Sequence, residues 1–379
     1  MIYSGKMNFL QICPRFERAY VEEYWRDLYF YFPIKILMKR GHKATIYTHR
    51  EKGQTRTEYF GFPLYRFDFI NIHSRAFSPK LVTQALTKNF DLIHVHSYGN
   101  MSGEALNVLS RKPIVFTPHI SDCPKHFYAR KVFNAADKII ALSEYGKRLM
   151  TRNLKIPGEK IEVIPCPIDY GYYGKKIGAK DFSKNYGRSY YEYLIITVST
   201  FKPVKRHDLI IKSIPFIKTK NVRFVFVGGD FEYQNEERTQ KKIMDLVKKY
   251  NLSKKVIFTG FIPYEELRAA LSSADIFVLL TTKEGQCLAM CEAIINGLPV
   301  ITSNIELFDE IVYKEAIRID IFENEEKIIK NTAEKIDELL NDEKRRRLMI
   351  NKAKKHGLMF SSELIEKKMI NLYYNLLEK

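Results

Sequence analysis

The chain has 379 residues, of which 45% are hydrophobic and 28% are charged. At ~150 residues per domain, this length predicts two or three domains, and the composition excludes a small disulfide-stabilised scaffold or a disordered tail. Lysine and arginine number 62 against 44 aspartate and glutamate, a net charge of +18 that favours anionic partners such as nucleic acid, a membrane surface or a phosphorylated substrate.

The positive charge is concentrated in the first half of the chain. Residues 1–190 hold 31 basic and 16 acidic side chains, a balance of +15, whereas residues 191–379 hold 31 and 28, a balance of +3. A lysine-rich solvated surface explains an overall excess but not this asymmetry. We therefore expect the first half to meet an anionic acceptor or an anionic membrane face.

The cysteines and the lengths of the apolar runs indicate the cellular compartment of the protein. Five cysteines form no Cys-x-x-Cys pair, which is typical of a reducing cytosol. The first twelve residues lack a signal-peptide pattern, and no apolar run approaches the ~20 residues that span a bilayer. We expect a cytoplasmic protein, either soluble or peripheral on the cytoplasmic membrane face.

Short apolar runs recur along the chain, each followed by a helical pattern. In chain order they are 9–12, 43–48, 92–95, 113–117, 138–142, 194–199, 224–227, 256–258, 276–280 and 299–302. Such runs are too short for helices and lack clean alternation, which is typical of parallel strands covered on both faces. Their alternation with helices predicts an α/β fold with doubly wound parallel sheets.

The alternation lapses between Tyr170 and Tyr193, a stretch with four glycines among lysines and tyrosines, and it restarts at Leu194. We place a domain boundary in this stretch and expect two Rossmann-like domains that face a central cleft. The segment 362–379 repeats apolar residues at helical spacing, which predicts an amphipathic helix. The sequence leaves open whether this helix packs on the second half or returns to the first. The predicted organisation is an N-terminal domain (1–175), a linker (176–192) and a C-terminal domain (193–361).

The most informative segment begins with the strand at 276–280. It ends in a polar loop with Glu284 and Gly285, and a helix predicted to begin near Gln286 places Glu292 about two turns in. Amides at a helix start bind anions, and open α/β sheets bind ligands at the carboxyl edge of their strands. Carboxylates there accept hydrogen bonds from sugar hydroxyls, while the amides serve a phosphate. Solvent-facing glutamates are the alternative interpretation.

This spacing resembles the Glu-x7-Glu motif of the retaining glycosyltransferases of family GT4, which have the GT-B fold. The resemblance covers nearly the whole chain, since further segments match the family's motifs in order. They are Arg40–Thr45, Asp91–His96, Pro113–His119, Ala136–Ser143, Val225–Gly229, Val256–Phe261 and Leu307–Val312.

The resemblance implies a role for each matching residue. The N-terminal domain (1–175) would bind the acceptor. The C-terminal domain (193–361) would hold a nucleotide sugar, with Glu292 on the ribose and Glu284 on the transferred sugar. Lys205 would neutralise the diphosphate leaving group, and His119 would lie near the reacting sugar. The remaining donor contacts would come from Gly285, Gln286, Cys287, Leu288 and Thr200, with Gly260 and Phe261 near the base.

Three departures from the family concern these contacts. Ser199-Thr200 stands where the family usually has Gly-Arg, so one cation of the usual pair is missing and Thr200 offers only a hydroxyl. Lys202 and Arg206 are candidate substitutes, although neither position matches the motif. Gln286-Cys287 replaces Phe-Gly. The N-terminal glycine-rich loop is replaced by Pro14–Arg18, where Arg15 and Arg18 are either acceptor contacts or ordinary surface arginines.

No metal and no cofactor are expected. His94, His96 and His119 could be imagined as ligands, but no carboxylate-rich loop accompanies them, the Asp-x-Asp signature is absent, and family members usually work without a divalent ion. The resemblance implies attack on the leaving group's side with retention of configuration and no protein nucleophile. Asp122 is a candidate helper or, equally, a helix N-cap.

The sequence therefore predicts a hexosyltransferase that uses a UDP- or GDP-sugar and a glycan or lipid-linked acceptor. Three alternatives remain at this point. They are a catalytically weak sugar-nucleotide-binding protein, a GT-B-like nucleotide-sugar epimerase and a basic nucleic-acid-binding protein, the last favoured only by the charge.

Overall fold

The computed structural model describes residues 6–13, 28–50, 57–59, 61–73, 75–168, 192–229 and 237–378. The chain divides into two compact units. The first runs to Pro167 and includes the last helix from Ser362 onward, and the second is Ile168–Ser361. The predicted linker, 176–192, lies outside the described residues except for Glu192.

The first unit is built on a mainly parallel sheet. Its strands are β1 (Asn8–Ile12), β2 (Lys43–His49), β3 (Glu58–Tyr59), β4 (Phe62–Phe67), β5 (Ile70–Ile72), β6 (Arg75–Phe77), β7 (Leu92–His96), β8 (Ile114–Thr117), β9 (Lys138–Ala141) and β10 (Ile161–Val163). Among the described residues, eight strands pair in the order β10-β9-β8-β7-β1-β2-β4-β3, and β5 pairs with β6 separately. Only the β3–β4 and β5–β6 pairings described here are antiparallel.

The second unit has the strand order of a doubly wound sheet. Its strands are β11 (Tyr193–Val198), β12 (Val222–Val227), β13 (Val256–Gly260), β14 (Ile276–Leu279), β15 (Val300–Ser303) and β16 (Ile317–Ile319). The described strands pair in the order β13-β12-β11-β14-β15-β16, all parallel. The chain therefore moves outward from β11 and then reverses to β14, so the loops after β11 and β14 meet at a topological switch point.

Helices connect the strands and cover the sheets. They are α1 (Leu28–Lys39), α2 (Pro79–Thr87), α3 (Met101–Leu109), α4 (Phe127–Ala135), α5 (Glu144–Leu154), α6 (His207–Ser213), α7 (Glu237–Lys249), α8 (Tyr264–Ser273), α9 (Leu288–Ile295), α10 (Phe308–Ile311), α11 (Glu325–Asn341), α12 (Glu343–Gly357) and α13 (Ser362–Leu377). Polar side chains cap several helix starts, for example Asn100 at α3 and Ser143 at α5.

The last helix, α13, belongs to the first unit. Its buried face includes Ile365, Ile370 and Tyr373, which join the core beneath β1 and β2. The Tyr373 ring lies 5.2 Å from the ring of Phe9 in β1, measured between centroids. The amphipathic spacing of this segment thus corresponds to a helix whose apolar stripe completes the first core.

The α/β fold class predicted from the sequence is confirmed. Each of the ten apolar runs coincides with a parallel strand of one of the two sheets. The sequence analysis missed the strands at the sheet margins, notably β4 and β16. Strand β4 alternates buried and exposed residues and contains Pro63, so it does not show the continuous apolar run of a strand covered on both faces.

Candidate active site

Two loops of the second unit are fixed against each other at the switch point. The loop after β11 makes a short 3-10 turn at Pro203–Lys205, and the loop after β14 leads to Glu284. The amide of Thr282 donates to the carbonyl of Val204 at 2.8 Å, and the hydroxyl of Thr281 donates to the same carbonyl at 3.1 Å. These hydrogen bonds hold a lysine and a glutamate close together.

Lys205 Nζ and Glu284 Oε1 form an ion pair in this corner. The two side chains are only 16% and 9% exposed. Burial alone lowers the pKa of a lysine, but the charge and hydrogen bond of Glu284, together with the charge of nearby Cys287, outweigh it, so the pKa of Lys205 lies above its usual value. The sequence indicated both residues separately, and their direct contact is evident only from the structure.

The ends of β11, β12 and β13 meet at a turn that only glycine fits. A Cβ atom on Gly228 would lie 2.1 Å from the carbonyl oxygen of Ser199, and φ at Gly228 is +116°. The amide of Gly228 donates to the carbonyl of Gly260 at 2.9 Å. Next to it, a Cβ atom on Gly229 would lie 3.4 Å from the Phe261 ring. The candidate residues Gly260 and Phe261 thus contact the glycine turn after β12, and Gly228 of that turn packs against the backbone of Ser199, next to Thr200.

The positions that replace the family's Gly-Arg carry no cation. Thr200 is 8% exposed, and the hydroxyl of Ser199 forms a 2.8 Å hydrogen bond with Nε2 of His207. Burial, with the nearby charge of Lys205, lowers the pKa of His207 to about 3, so this imidazole is neutral at pH 7. Lys205 is thus the cation that pairs with Glu284 in this corner, and Lys202 and Arg206 flank it in the same loop.

Helix α9 begins two residues later than predicted. Cys287 precedes it with φ at +64°, a left-handed conformation that a helical residue cannot adopt, so the helix starts at Leu288 rather than near Gln286. Burial, followed by the charge of Glu284, raises the pKa of the Cys287 thiol well above its usual value. Glu292 lies in the second turn and is 1% exposed, which rules out the solvent-facing alternative for this residue.

His119 lies in the first unit, two residues after β8. Its φ is +47°, and its Nε2 lies 3.2 Å from Nδ1 of His96 in β7. Burial lowers the pKa of His119 to about 4, so its ring is neutral at pH 7. Asp122 is exposed and does not cap α4; the side chain of His126 accepts the hydrogen bond from the amide of Ala129 instead.

The structure also shows a cluster that the sequence analysis missed, which we call the edge cluster: Arg75, Tyr98, Glu104 and Tyr128. Glu104 is 1% exposed, forms an ion pair with Arg75 and accepts hydrogen bonds from Tyr128 Oη at 2.7 Å and from the amide of Gly99 at 2.8 Å. The guanidinium carbon of Arg75 lies 5.7 and 5.1 Å from the ring centres of Tyr98 and Tyr128.

The edge cluster gathers residues that are far apart in sequence. Tyr98 follows β7, and Tyr128 is the second residue of α4, which begins after a nine-residue loop from β8, so both stand beyond the carboxyl ends of neighbouring strands. That edge is where open α/β sheets bind ligands. The sequence analysis singled out none of these four residues, because their contacts join positions that are far apart in the chain.

The remaining predictions concern two N-terminal arginines, a metal site and membrane-spanning helices. Arg15 and Arg18 lie outside the described residues. Within the described ranges, no three histidine, cysteine or acidic side chains are grouped as a metal site would require. No helix in the described part of the chain has both the length and the apolar character needed to cross a bilayer.

Comparisons with known proteins agree with this architecture. The family model described as glycosyl transferases group 1 matches residues 180–356, and the model described as glycosyltransferase family 4 matches residues 34–171. The N-acetyl-alpha-D-glucosaminyl L-malate synthase of Bacillus anthracis is 25% identical, with 80% of this chain and 79% of that protein covered.

Two further proteins are similar over large parts of the chain. An Escherichia coli UDP-Gal:alpha-D-GlcNAc-diphosphoundecaprenol alpha-1,3-galactosyltransferase is 26% identical, with 58% of this chain and 59% of that protein covered. The crystal structure of Anabaena HepE in complex with UDP and glucose superposes with a TM-score of 0.80 at 17% identity, covering 97% of this chain and all of that one. At 17% identity, the superposition on the Anabaena protein shows that the two chains share a fold.

Two Rossmann-like units, the second with a lysine and a carboxylate at its switch point, define a glycosyltransferase that acts on nucleotide sugars. The chain belongs to the glycosyltransferases of family 4, with the GT-B fold, and is a hexosyltransferase.

Proposed function

We propose that the protein transfers a hexose from a UDP- or GDP-sugar to a glycan or lipid-linked acceptor, with retention of configuration and without a metal ion. The observation that carries this proposal is the ion pair of Lys205 and Glu284 at the switch point of the second sheet. UDP is favoured over GDP because the Escherichia coli relative is a UDP-Gal transferase and the Anabaena protein is seen in complex with UDP.

The pair supplies both kinds of group that a nucleotide sugar needs. Cleavage of the glycosidic bond leaves negative charge on the diphosphate, and a fixed cation that binds more strongly as this charge develops lowers the barrier. Lys205 provides that cation. When Lys205 turns to the diphosphate, Glu284 becomes the acceptor for hydroxyls of the transferred sugar.

The proposed reaction retains the configuration and needs no protein nucleophile. The acceptor hydroxyl attacks the anomeric carbon on the side that the diphosphate leaves, its proton passes to a phosphate oxygen, and the glycosidic bond to the diphosphate breaks. In this scheme Glu292 binds the ribose hydroxyls and the amides from Gly285 to Leu288 contact the sugar and phosphates. His119 is assigned to the transferred sugar, and Asp122 is the candidate helper in proton transfer.

The test is turnover of labelled UDP- and GDP-hexoses with and without chelator. We expect transfer that resists chelation and a product with the donor's anomeric configuration by NMR. Lys205→Met and Glu284→Gln should each lower kcat by ~10²-fold or more, the range for loss of one group that stabilises transition-state charge. A product that is itself a nucleotide sugar would favour an epimerase, and binding without turnover would leave only a binding protein.

A matched control is available in the same unit. Lys212 and Glu325 form a 2.7 Å ion pair whose side chains are 21% and 52% exposed. Lys212→Met removes one lysine from such a pair without touching the switch point, so its kcat should remain within about twofold of the parent, as for an exposed ion pair. An equal loss in Lys212→Met and Lys205→Met would contradict the proposal.

We also propose that the acceptor is anionic and lies at a membrane face, in line with the +15 balance of residues 1–190. Phe127 and Tyr128, at the start of α4, are 81% and 41% exposed. Exposed Lys125, Arg130 and Lys131 surround them. Two exposed aromatic side chains surrounded by basic residues are well suited to the headgroup region of an anionic bilayer. Each basic residue near such a surface contributes ~1 kcal/mol to the free energy of membrane binding.

Vesicle co-sedimentation tests this second proposal. We expect binding to anionic but not zwitterionic vesicles at low salt, a loss of binding at high salt, and weaker binding of Phe127→Ser. Leu109→Ser is the control, since Leu109 is 58% exposed at the end of α3 and has no such role in the proposal. Negligible binding of the parent to anionic vesicles at low salt would remove the membrane proposal and leave the transfer reaction untouched.

A further inference from the structure

The edge cluster holds one arginine in a fixed orientation. Glu104 in α3 has a fully buried side chain and pairs with Nη2 of Arg75. It also accepts hydrogen bonds from Tyr128 Oη and from the amide of Gly99. A buried carboxylate is stable only when it is paired and hydrogen-bonded, so Arg75 cannot turn away from Glu104 without a large cost in free energy. The ion pair therefore anchors the guanidinium within the first unit.

Two tyrosine rings hold the same guanidinium from other sides. Its central carbon lies 5.7 Å from the ring centre of Tyr98 and 5.1 Å from that of Tyr128, distances at which an aromatic ring attracts a cation. Tyr98 packs in turn against Phe133, with centroids 5.4 Å apart. Tyr128 lies nearly parallel to the ring of His126, with centroids 6.4 Å apart. Because both rings have neighbours of their own, they form a frame that keeps the arginine in place.

The anchored arginine retains most of its hydrogen-bonding capacity. A guanidinium has five N–H groups, and Glu104 uses one of the two on Nη2. Whichever of the two it uses, one edge of the planar group keeps two parallel N–H donors, and no acceptor among the described residues takes a hydrogen bond from them. The Arg75 side chain is 28% exposed, so part of it is open to solvent. Two parallel N–H donors match two oxygens of a phosphate or a carboxylate.

The charge around the edge cluster favours an anion over a neutral ligand. The segment 123–134, which includes the start of α4, has no acidic residue and three exposed basic ones, Lys125, Arg130 and Lys131. Asp122 precedes the segment and offsets one of these charges. Since Arg75 and Glu104 neutralise each other, the balance of this segment and Asp122 remains positive. Such a field attracts a phosphate or a carboxylate and gives no advantage to a neutral hydroxyl.

We propose that Arg75 selects the acceptor by donating its remaining pair of N–H groups to an anionic group that the acceptor carries, a phosphate or a carboxylate. The inference rests on the proposed function, in which an anionic acceptor meets the basic first half of the chain. It adds a specificity-determining residue and the chemical group that this residue recognises. Tyr98 and Tyr128, which frame Arg75, stand beyond the carboxyl ends of neighbouring strands, where open α/β sheets bind ligands.

Anion binding at Arg75 can be measured without any activity. In the full chain labelled with ¹⁵N-arginine, each Nε–H group gives one NMR signal, and Arg75→Lys identifies the signal of Arg75 by its loss. Methyl phosphate and acetate are added separately at constant ionic strength. We expect a saturable shift of the Arg75 signal with at least one of them. A response to methyl phosphate indicates a phosphate-bearing acceptor, and a response to acetate indicates a carboxylate-bearing one.

An internal control comes from another arginine of the first unit. Arg50 forms a 2.9 Å ion pair with Asp68, and their side chains are 56% and 88% exposed. It therefore has a carboxylate partner, as Arg75 does, but lacks the burial of the edge cluster. Arg50→Lys identifies its signal, which should show no saturable shift with either anion.

Acceptor preference tests the role of Arg75 in the reaction. With a nucleotide sugar as the donor, glucose 6-phosphate and glucuronate are compared with glucose as acceptors. Arg75→Lys keeps a cation for Glu104, so the fold should persist, but a lysine cannot present two parallel N–H groups. We expect kcat/KM to fall about tenfold or more for the charged acceptor, the effect of losing a hydrogen bond to a charged group. For glucose it should change less than ~twofold.

A second variant controls for the loss of a cation elsewhere in the first unit. Helix α1 returns the chain from the carboxyl end of β1 to the start of β2, so Lys39 at its end lies at the opposite edge of the sheet from the edge cluster. Lys39 pairs with Glu366 at 3.3 Å, and its own side chain is 55% exposed. Lys39→Met should leave kcat/KM for charged and neutral acceptors within ~twofold of the parent.

The outcomes separate this inference from the proposed function. A parent in which neither anion gives a saturable shift at Arg75 would overturn the inference, as would saturable shifts of similar size at Arg50. Equal losses for charged and neutral acceptors in Arg75→Lys would show a structural role and overturn it as well, while the transfer reaction stands. If Arg75 binds an anion saturably and no nucleotide sugar is turned over, the proposed function fails and the anion site remains.

Discussion

Removing Lys205 should destabilise the second unit as well as abolish transfer. In Lys205→Met, the carboxylate of Glu284, whose side chain is 9% exposed, loses its cation but stays largely buried. Breaking a buried ion pair on one side costs ~3–5 kcal/mol, and the remaining exposure places this pair near ~3 kcal/mol. For a unit of this size each kcal/mol lowers Tm by ~2–4 °C, so we expect a loss of ~6–12 °C.

The double variant Lys205→Met/Glu284→Leu separates stability from function. Replacing both partners by apolar side chains of similar volume removes the unpaired charge, so its free energy of unfolding should return to within ~1 kcal/mol of the parent. Its kcat should stay ~10²-fold or more below the parent, since neither the cation nor the acceptor is restored. Differential scanning calorimetry and turnover of a labelled donor measure the two quantities on the same samples.

Two results would refute this reasoning. A shift of under ~2 °C in Lys205→Met would show that the corner is solvated enough to tolerate a lone carboxylate. A double variant as unstable as the single one would show that Lys205 acts through packing and not through its charge. Lys212→Met is the control, because its partly exposed pair should contribute under ~1 kcal/mol.

Three further predictions use other parts of the molecule. Gly228→Ala should prevent stable folding of the second unit by circular dichroism, since its Cβ atom would lie 2.1 Å from a backbone carbonyl, whereas Gly260→Ala, with nothing within 4 Å, should cost only ~1–2 kcal/mol of backbone strain. Burial lowers the pKa of His94 to about 3 and of His119 to about 4, so the unfolded state binds more protons than the folded state below pH 6.5. The free energy of unfolding, measured with urea, should be at its full value above pH 6.5. It should fall by ~1.4 kcal/mol per pH unit for each of these histidines as the pH falls toward 4. Thr200→Arg, which adds a cation beside the diphosphate, should tighten nucleoside diphosphate binding about tenfold at low salt by calorimetry, and unchanged affinity would show that this side chain does not reach the phosphates.

Much of the second unit could be predicted because its signals are local. The run at 276–280 is apolar throughout, since β14 is covered on both faces, and the change to polar residues marks where the strand ends. Helix α9 was expected from its apolar residues, but its start was misplaced because a left-handed residue at Cys287 leaves no clear mark in composition.

The histidines of β7 show where local reasoning fails. Spacing places His94 and His96 on one face of a strand, which is equally consistent with metal ligands and with hydrogen-bonding groups. The choice depends on Tyr373, 279 residues from His94 along the chain, and on Gln11, 85 residues from His96. No pattern within a window of the sequence contains either partner.

The sequence by itself determined the strand and helix alternation, the asymmetry of charge, and the polar residues that follow β11 and β14. These properties depend on residue type and on periodicity over a few positions. Only the tertiary structure decided that Lys205 pairs with Glu284, that Arg75 lies between two tyrosines above a buried carboxylate, and that α13 contributes Tyr373 to the first unit. Such contacts follow from the order of strands in a sheet and from the path of a returning helix, which bring together residues that no local preference relates.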